Sequence, residues 1–223
     1  MAALFCQNYE ISQDDLGEEI SAEHLARIMV HLQRKGCHNI NLVTPTHFVP
    51  QILEARIIAS GRGLKVPLVY NCGGYESVET LRLLEGIVDI YMPDMKYGSD
   101  DEGLTGQAGQ RYSNARDYAR HARAAIEEMH RQAGDLVIED GLAVRGLIVR
   151  HLVLPEGIAG TREVVEFLSG LSKDTYLNVM AQYHPAHEAD QRPELSRRIT
   201  AREFGDACNL AIDAGLTRGL EIQ

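Results

Sequence analysis

Val66-Pro67-Leu68-Val69-Tyr70-Asn71-Cys72-Gly73-Gly74 is the first half of the stretch that decides the fold. Its second half is Ile87-Val88-Asp89-Ile90-Tyr91-Met92-Pro93-Asp94-Met95-Lys96. Residues 66–70 and 87–92 are short apolar runs of strand length. Between them Ser77 is placed to cap a short helix carrying Val78, Leu81 and Leu84. Strand, helix and strand in this order form the unit from which parallel sheets are built. Parallel sheets carry their sites at the carboxyl ends of their strands. Both strands here end in polar tips, Asn71-Cys72-Gly73-Gly74 and Pro93-Asp94-Met95-Lys96.

The alternation continues outward. Leu25, Ile28, Met29 and Leu32 recur at helical spacing, so a helix is expected over 22–35, capped by Ser21 and stopped by Gly36. A strand over 39–43 runs into Thr44-Pro45-Thr46-His47. Thr46 is expected to cap a helix over 47–60, with Pro50 tolerated in its first turn. Residues 98–114, rich in Gly, Asp and Gln, read as an inserted loop. Asn114 is expected to cap a long helix with Tyr118, Ala122, Ala125, Ile126 and Met129 on one face and Gly134 at its end. Asp140-Gly141 signals a two-residue hairpin between 136–139 and 142–145. A strand over 147–154 carries Arg150-His151 in its middle to later part, and a helix is expected over 161–169. A strand over 176–180 runs into Ala181-Gln182-Tyr183-His184, and Thr200-Ala201-Arg202-Glu203 is a capping box for a last helix. The expectation is an α/β chain with one active-site face and no inter-domain linker.

Composition narrows the function classes. Of 223 residues, 44% are hydrophobic and 24% charged, the profile of an ordinary globular protein. A net charge of −10 removes the basic footprint that nucleic-acid binding needs, so no nucleic-acid partner is expected. No apolar run is long enough for a bilayer, so no membrane partner is expected either. The opening Met1-Ala2-Ala3-Leu4-Phe5-Cys6 lacks the charged region and apolar run of a secretory signal. Cys6, Cys37, Cys72 and Cys208 are widely spaced with no Cys-x-x-Cys pair, which argues against a disulfide scaffold and for a cytoplasmic location.

Several tips could carry chemistry. In an extended Asp94-Met95-Lys96 the two charged side chains share one side, where they could hold a polar substrate, a carboxylate or a phosphate. The plainer reading is a salt bridge at a strand end. Gly73-Gly74 would let a backbone approach a ligand closely. Arg150 and His151 are consecutive in a strand and must face opposite sides. A sheltered Arg150 needs an anion, either a ligand carboxylate or Asp94 or Glu156. His47, Asp94, His151 and His184 could together make a metal-dependent barrel hydrolase, the alternative reading.

One fragment narrows the choice further. Phe5-Cys6-Gln7-Asn8-Tyr9-Glu10-Ile11-Ser12-Gln13 resembles the end of the cluster loop in radical S-adenosylmethionine (SAM) enzymes, most closely the pyruvate formate-lyase activating enzyme-like branch. Further segments resemble the same family in order along nearly the whole chain. They are Asn39 to His47, Val69 to Tyr75, Asp89 to Lys96, Arg150 to Pro155 and Met180 to Pro185. The resemblance implies one radical SAM-like domain over 1–223 with the 98–114 loop inserted, folded as a partial (β/α)6 TIM-like barrel. It implies a [4Fe–4S] cluster on three thiolates with SAM on the fourth iron, and reductive cleavage of SAM to a 5′-deoxyadenosyl radical. The implied partners are SAM, an electron donor such as flavodoxin or ferredoxin, and a glycyl-radical protein activated by the enzyme.

Carried over by position, Cys6 resembles the third cluster cysteine. Thr44-Pro45-Thr46 occupies the place of a Gly-Gly-Glu motif at the SAM amino group, without that motif's residues. Asn71 and Gly73 resemble the motif after the next strand, and Asp94 and Lys96 an Asp-x-Lys motif near SAM. Arg150 resembles a strand arginine near the SAM carboxylate or ribose, and Tyr183-His184 a pair near ribose and adenine. The second cluster cysteine falls at Ala3, and the first would precede Met1. The chain is therefore expected to be a shortened form lacking the first strand and two ligands, and inactive in radical chemistry as it stands. A cluster-less SAM- or nucleotide-binding barrel is the second alternative.

Overall fold

A computed structural model describes residues 3–6, 17–101 and 107–220. Helix α1 (Ala22–Arg34) starts where expected, with Ser21 accepting a hydrogen bond from the His24 N–H, and Gly36 follows it with φ +87°. Strand β1 (Ile40–Val43) leads into a 3₁₀ turn (Pro45–Phe48) and helix α2 (Val49–Gly61). Thr46 does not cap that helix: its hydroxyl donates to Glu76 Oε1 at 2.8 Å. Strand β2 (Leu68–Cys72), helix α3 (Val78–Arg82) capped by Ser77, and strand β3 (Ile90–Pro93) complete the central unit.

The stretch expected as a loop over 98–114 holds a helix, α4 (Ala108–Ser113); residues 102–106 lie outside the described ones. Asn114 is not the cap of the long helix. It closes α4 in a left-handed conformation (φ +48°), and helix α5 (Tyr118–Ala133) starts four residues later. Its exposed N–H groups at Ala119 and Arg120 are met by Asp100, at 2.9 and 2.7 Å, from across the chain. The hairpin forms as read. Asp140 and Gly141 (φ +49° and +79°) join β4 (Val137–Glu139) to β5 (Leu142–Leu152), which runs unbroken through Gly146. Helix α6 (Thr161–Leu171), strand β6 (Tyr176–Met180) and helix α7 (Ala201–Asp213), opened by the Thr200–Glu203 capping box, follow.

The sheet is mostly parallel. β1, β2, β3, β5 and β6 lie side by side in that order, all parallel, and only β4 runs antiparallel to its neighbour β5. All five carboxyl ends therefore point the same way. Alternation along the strands then separates two faces. Leu68, Tyr70, Cys72, Tyr91, Leu147, Val149, Leu177 and Val179 share one core with Met29 of α1, Ala59 of α2, Leu81 of α3, Met129 of α5, Leu168 of α6 and Ala211 of α7. The six helices thus pack on one face. The other face carries Asn41, Val43, Asn71, Met92, Asp94, Arg150 and Asn178, which are mostly half-buried or exposed, with Val43 at 67%.

A second core closes the carboxyl end. Phe5, Tyr97, Tyr112, Tyr118, Leu154 and Tyr183 belong to it. The Leu4 N–H donates to Tyr112 O and the Glu188 N–H to Leu4 O, both at 2.9 Å, so the segment bearing Cys6 is strapped over this end. Among the described residues β1 pairs only with β2. No helix among them is long and apolar enough to cross a membrane.

Candidate functional site

The parallel register lines up residues of five strands on the open face. Val43, Asn71 and Met92 are lateral neighbours on the open face, and one row further Asp94 bridges to Arg150, which is paired with Asn178. Arg150 Nη2 donates to Asn71 Oδ1 at 2.7 Å and lies 2.6 Å from Asp94 Oδ1. Lys96 Nζ donates to Asp94 Oδ2 at 2.5 Å. The contact between Arg150 and Asp94 is an ion pair off the hydrogen-bonding direction, because Asp94 Oδ1 has no hydrogen-bond partner; neither does Arg150 Nε. Two cations thus share one carboxylate, and a buried acceptor and a buried donor stay unsatisfied. Such atoms are uncommon in folded proteins.

The backbone around this cluster is held tightly. Thr44, left-handed at φ +53°, donates its N–H to Asn71 O at 2.7 Å. The Asp94 N–H reaches Cys72 O, and the Met95 N–H reaches Arg150 O, both at 2.8 Å. The Tyr118 hydroxyl accepts from the Lys96 N–H at 3.0 Å and donates between the carbonyls of Gly73 (2.8 Å) and Asp94 (3.0 Å). Gly74 has φ +77°, and a Cβ there would collide with the Asp94 carbonyl oxygen. Gly74 thus serves close packing of two strand ends.

The helix-covered face treats its polar groups differently. His151 is fully buried; its Nδ1–H donates to Met95 O at 2.7 Å and its Nε2 accepts from the Thr161 hydroxyl at 2.9 Å. Burial holds its pKa below the ordinary value. Glu76 is 6% exposed and accepts from Thr46 and from the Tyr70 hydroxyl, at 2.8 and 3.0 Å. Burial pushes its carboxyl pKa up. Cys72, fully buried beside it, is likewise pushed up by burial.

Of the residues read from sequence, the structure brings together Thr44, Asn71, Gly73, Asp94, Lys96 and Arg150. Tyr183 stays in the second core, where its ring meets Phe5 edge-on at 5.7 Å and its hydroxyl donates to Leu195 O at 2.7 Å. His184 follows it, half-buried, its Nδ1 3.4 Å from Gln182 O. The hydrolase set of His47, Asp94, His151 and His184 is not assembled. His151 points under the helices with both nitrogens engaged, and His47 is exposed on the 3₁₀ turn. Among the described residues no group of three or more His, Cys, Asp or Glu is arranged to hold a metal.

The thiols do not fit a [4Fe–4S] cluster either. Cys6 is in the segment strapped over the carboxyl end, but Ala3 stands where a second ligand is needed. Cys72 is sealed on the helix-covered face, Cys37 precedes the opposite end of β1, and Cys208 is on α7. Three thiolates are not gathered among the described residues, and the Gln7-Asn8-Tyr9 part of the cluster-loop resemblance lies outside them. Sequence reading missed Tyr118, Glu76 and Asn178. Only Asn178 had a signal, as the polar member of an otherwise apolar strand beside Arg150.

Two clefts of about 350 Å³ do not include this cluster, one along Ser99, Asp101 and Arg123, the other between α6 and α7 along Thr161, Glu163 and Leu210. No family model matches the chain. It is 31% identical over 218 residues to Uncharacterized protein MJ0674 of Methanocaldococcus jannaschii, a match covering 93% of this chain. The chain spans 58% of that relative's length. It also resembles the crystal structure of HydG, a maturase of the [FeFe]-hydrogenase, with a TM-score of 0.62 over 96% of this chain and 47% of that one, at 10% identity. The likeness is one of fold.

Proposed function

We propose that this chain is a radical SAM-like protein, one domain built as a partial (β/α)6 barrel, whose open sheet face binds SAM. The observation that carries the reading is the unbalanced cluster at the carboxyl ends: Lys96 and Arg150 against Asp94, with Asp94 Oδ1 and Arg150 Nε left without hydrogen bonds. A ligand offering a carboxylate to the cations and a donor to Asp94 Oδ1 completes that set, and the amino-acid end of SAM offers both. The fold shared with HydG, a maturase of the [FeFe]-hydrogenase, is compatible with the same reading. So is the order of the sequence resemblance.

In this reading Arg150 orients the carboxylate, Asn71 fixes the guanidinium, and Lys96 and Asp94 set the charge of the floor. A [4Fe–4S] cluster would supply the electron that cleaves SAM in the pyruvate formate-lyase activating enzyme-like branch. The thiols described here do not make that site, so the proposal for this form is binding without cleavage. Flavodoxin or ferredoxin as donor, and a glycyl-radical protein as target, would require a complete thiolate set. Calorimetric titration with SAM tests the reading. The expected result is saturable binding weakened by roughly 10- to 100-fold in Arg150→Ala, the range for a charged hydrogen bond. Absence of saturable binding, or equal affinity in the variant, overturns it.

A further inference from the structure

Strand β4 is the outer strand of the hairpin, and all three of its residues are exposed. Val137 and Ile138, with Leu142 across the turn, are 44%, 49% and 42% exposed, so one short ribbon carries three large apolar side chains in solvent. A two-stranded ribbon standing alone is marginal in water. Among the described residues the edge of β4 away from β5 is unpaired, and such an edge is a template for another strand. Glu139 and Leu142 flank the two-residue turn as a register pair, so the Glu139 carbonyl faces the Leu142 N–H. Backbone groups alternate in direction along an antiparallel strand. The N–H and C=O of Ile138 therefore both point away from β5. Two residues earlier Leu136 O points the same way and accepts from Arg218 Nη2 at 2.7 Å. Arg218 Nη1 also donates to Asp174 O at 3.0 Å, which fixes the guanidinium at the start of β4. Among the described residues Arg218 makes no ion pair, and neither does Asp140 in the turn.

We propose that β4 pairs with β4 of a second copy of this chain, antiparallel about a two-fold axis through Ile138. In that register the two Ile138 residues exchange both of their outward backbone hydrogen bonds, and their side chains meet on one face. Leu136 of each copy falls opposite Asp140 of the other. Arg218, anchored on the Leu136 carbonyl, then meets the Asp140 carboxylate of the other copy, once at each end of the contact. The edge is thus complementary to itself in charge as well as in backbone, as a closed two-fold interface requires. The hairpin lies at the amino end of β5, away from Arg150, so the pairing leaves the open face free. It does not depend on the SAM reading.

Sedimentation equilibrium tests this. The contact is small, so a dissociation constant on the order of 10–100 µM is expected. Across that range the average mass of the wild-type protein should climb from one chain toward two. Ile138→Lys sets two like charges at the axis and should weaken the dimer by roughly tenfold or more. Its thermal unfolding midpoint in dilute solution should stay that of the wild type, since the side chain is exposed, so this variant carries the test even where Arg218→Glu fails to fold. Arg218→Glu should weaken the dimer, and adding Asp140→Lys should restore it. A wild-type mass that stays at one chain, or that grows beyond two, overturns the proposal. So does an Ile138→Lys dimer as tight as the wild type, or a dimer that a folded Arg218→Glu leaves unchanged.

Discussion

Arg150 and His151 are neighbours in one strand, yet they lie in opposite regions of the molecule and meet opposite treatment. Under the helices, His151 has a partner for each ring nitrogen, and Glu76 has donors from Thr46 and Tyr70. On the open face, Arg150, Asp94 and Lys96 have chiefly one another and Asn71, and two polar atoms remain unmatched. A buried polar group must be satisfied within the protein or cost stability. A group at an open face can instead wait for a ligand. In the proposed reading the covered face holds the fold together and the open face receives the ligand.

The comparison breaks most visibly at His151. Replacing it with Ala leaves the Met95 carbonyl and the Thr161 hydroxyl without partners and opens a void. The expected loss is about 2–4 kcal/mol in denaturant unfolding, with SAM affinity of the folded fraction unchanged. Arg150→Ala should act chiefly on binding: affinity falls by the factor given above, while stability falls by only about 1–2 kcal/mol, because Asn71 loses its donor but Lys96 still pairs with Asp94. If both variants lose stability and affinity together, the two faces are not separate in function. Lys96→Met should weaken SAM binding by only roughly threefold, because a partly exposed ammonium is screened.

The smallest effect is on pH dependence. The folded pKa of His151 is lowered from 6.5 by burial, so its stability contribution is present above that pH and is lost as pH falls toward the folded value. Glu76, raised from 4.5 by burial, acts in the opposite sense: its contribution is lost as pH rises from 4.5 through the folded value. Subtracting the unfolding free energies of His151→Gln from those of wild type, pH by pH, isolates the histidine. The difference should shrink steadily below pH 6.5; a flat difference contradicts a neutral, buried ring.

Much of this was legible in the sequence because parallel strands show themselves as short apolar runs with polar ends. Asn71, Asp94, Lys96 and Arg150 could be placed at one end before any coordinates, and the opposite facing of Arg150 and His151 follows from strand alternation alone. Local turn chemistry was readable at Ser77, Asp140-Gly141 and the Thr200–Glu203 box, where the partner lies within four residues. It failed where the partner is distant. Thr46 and Asn114 have the composition of caps, but Glu76 captures the first, and Asp100 supplies from afar the cap of α5. Tyr118 looked like a core residue and is one, while its hydroxyl also ties together Gly73, Asp94 and Lys96. Tyr183 and His184 are read by position in a motif, and packing sets the tyrosine in the second core at the carboxyl end.

A crystal structure of the chain soaked with SAM tests the central claim most directly. The account predicts ligand density on the open sheet face, its carboxylate within hydrogen-bonding distance of Arg150. Density lodged between α6 and α7, or along Ser99 and Arg123, with the Arg150 cluster unchanged, would contradict it.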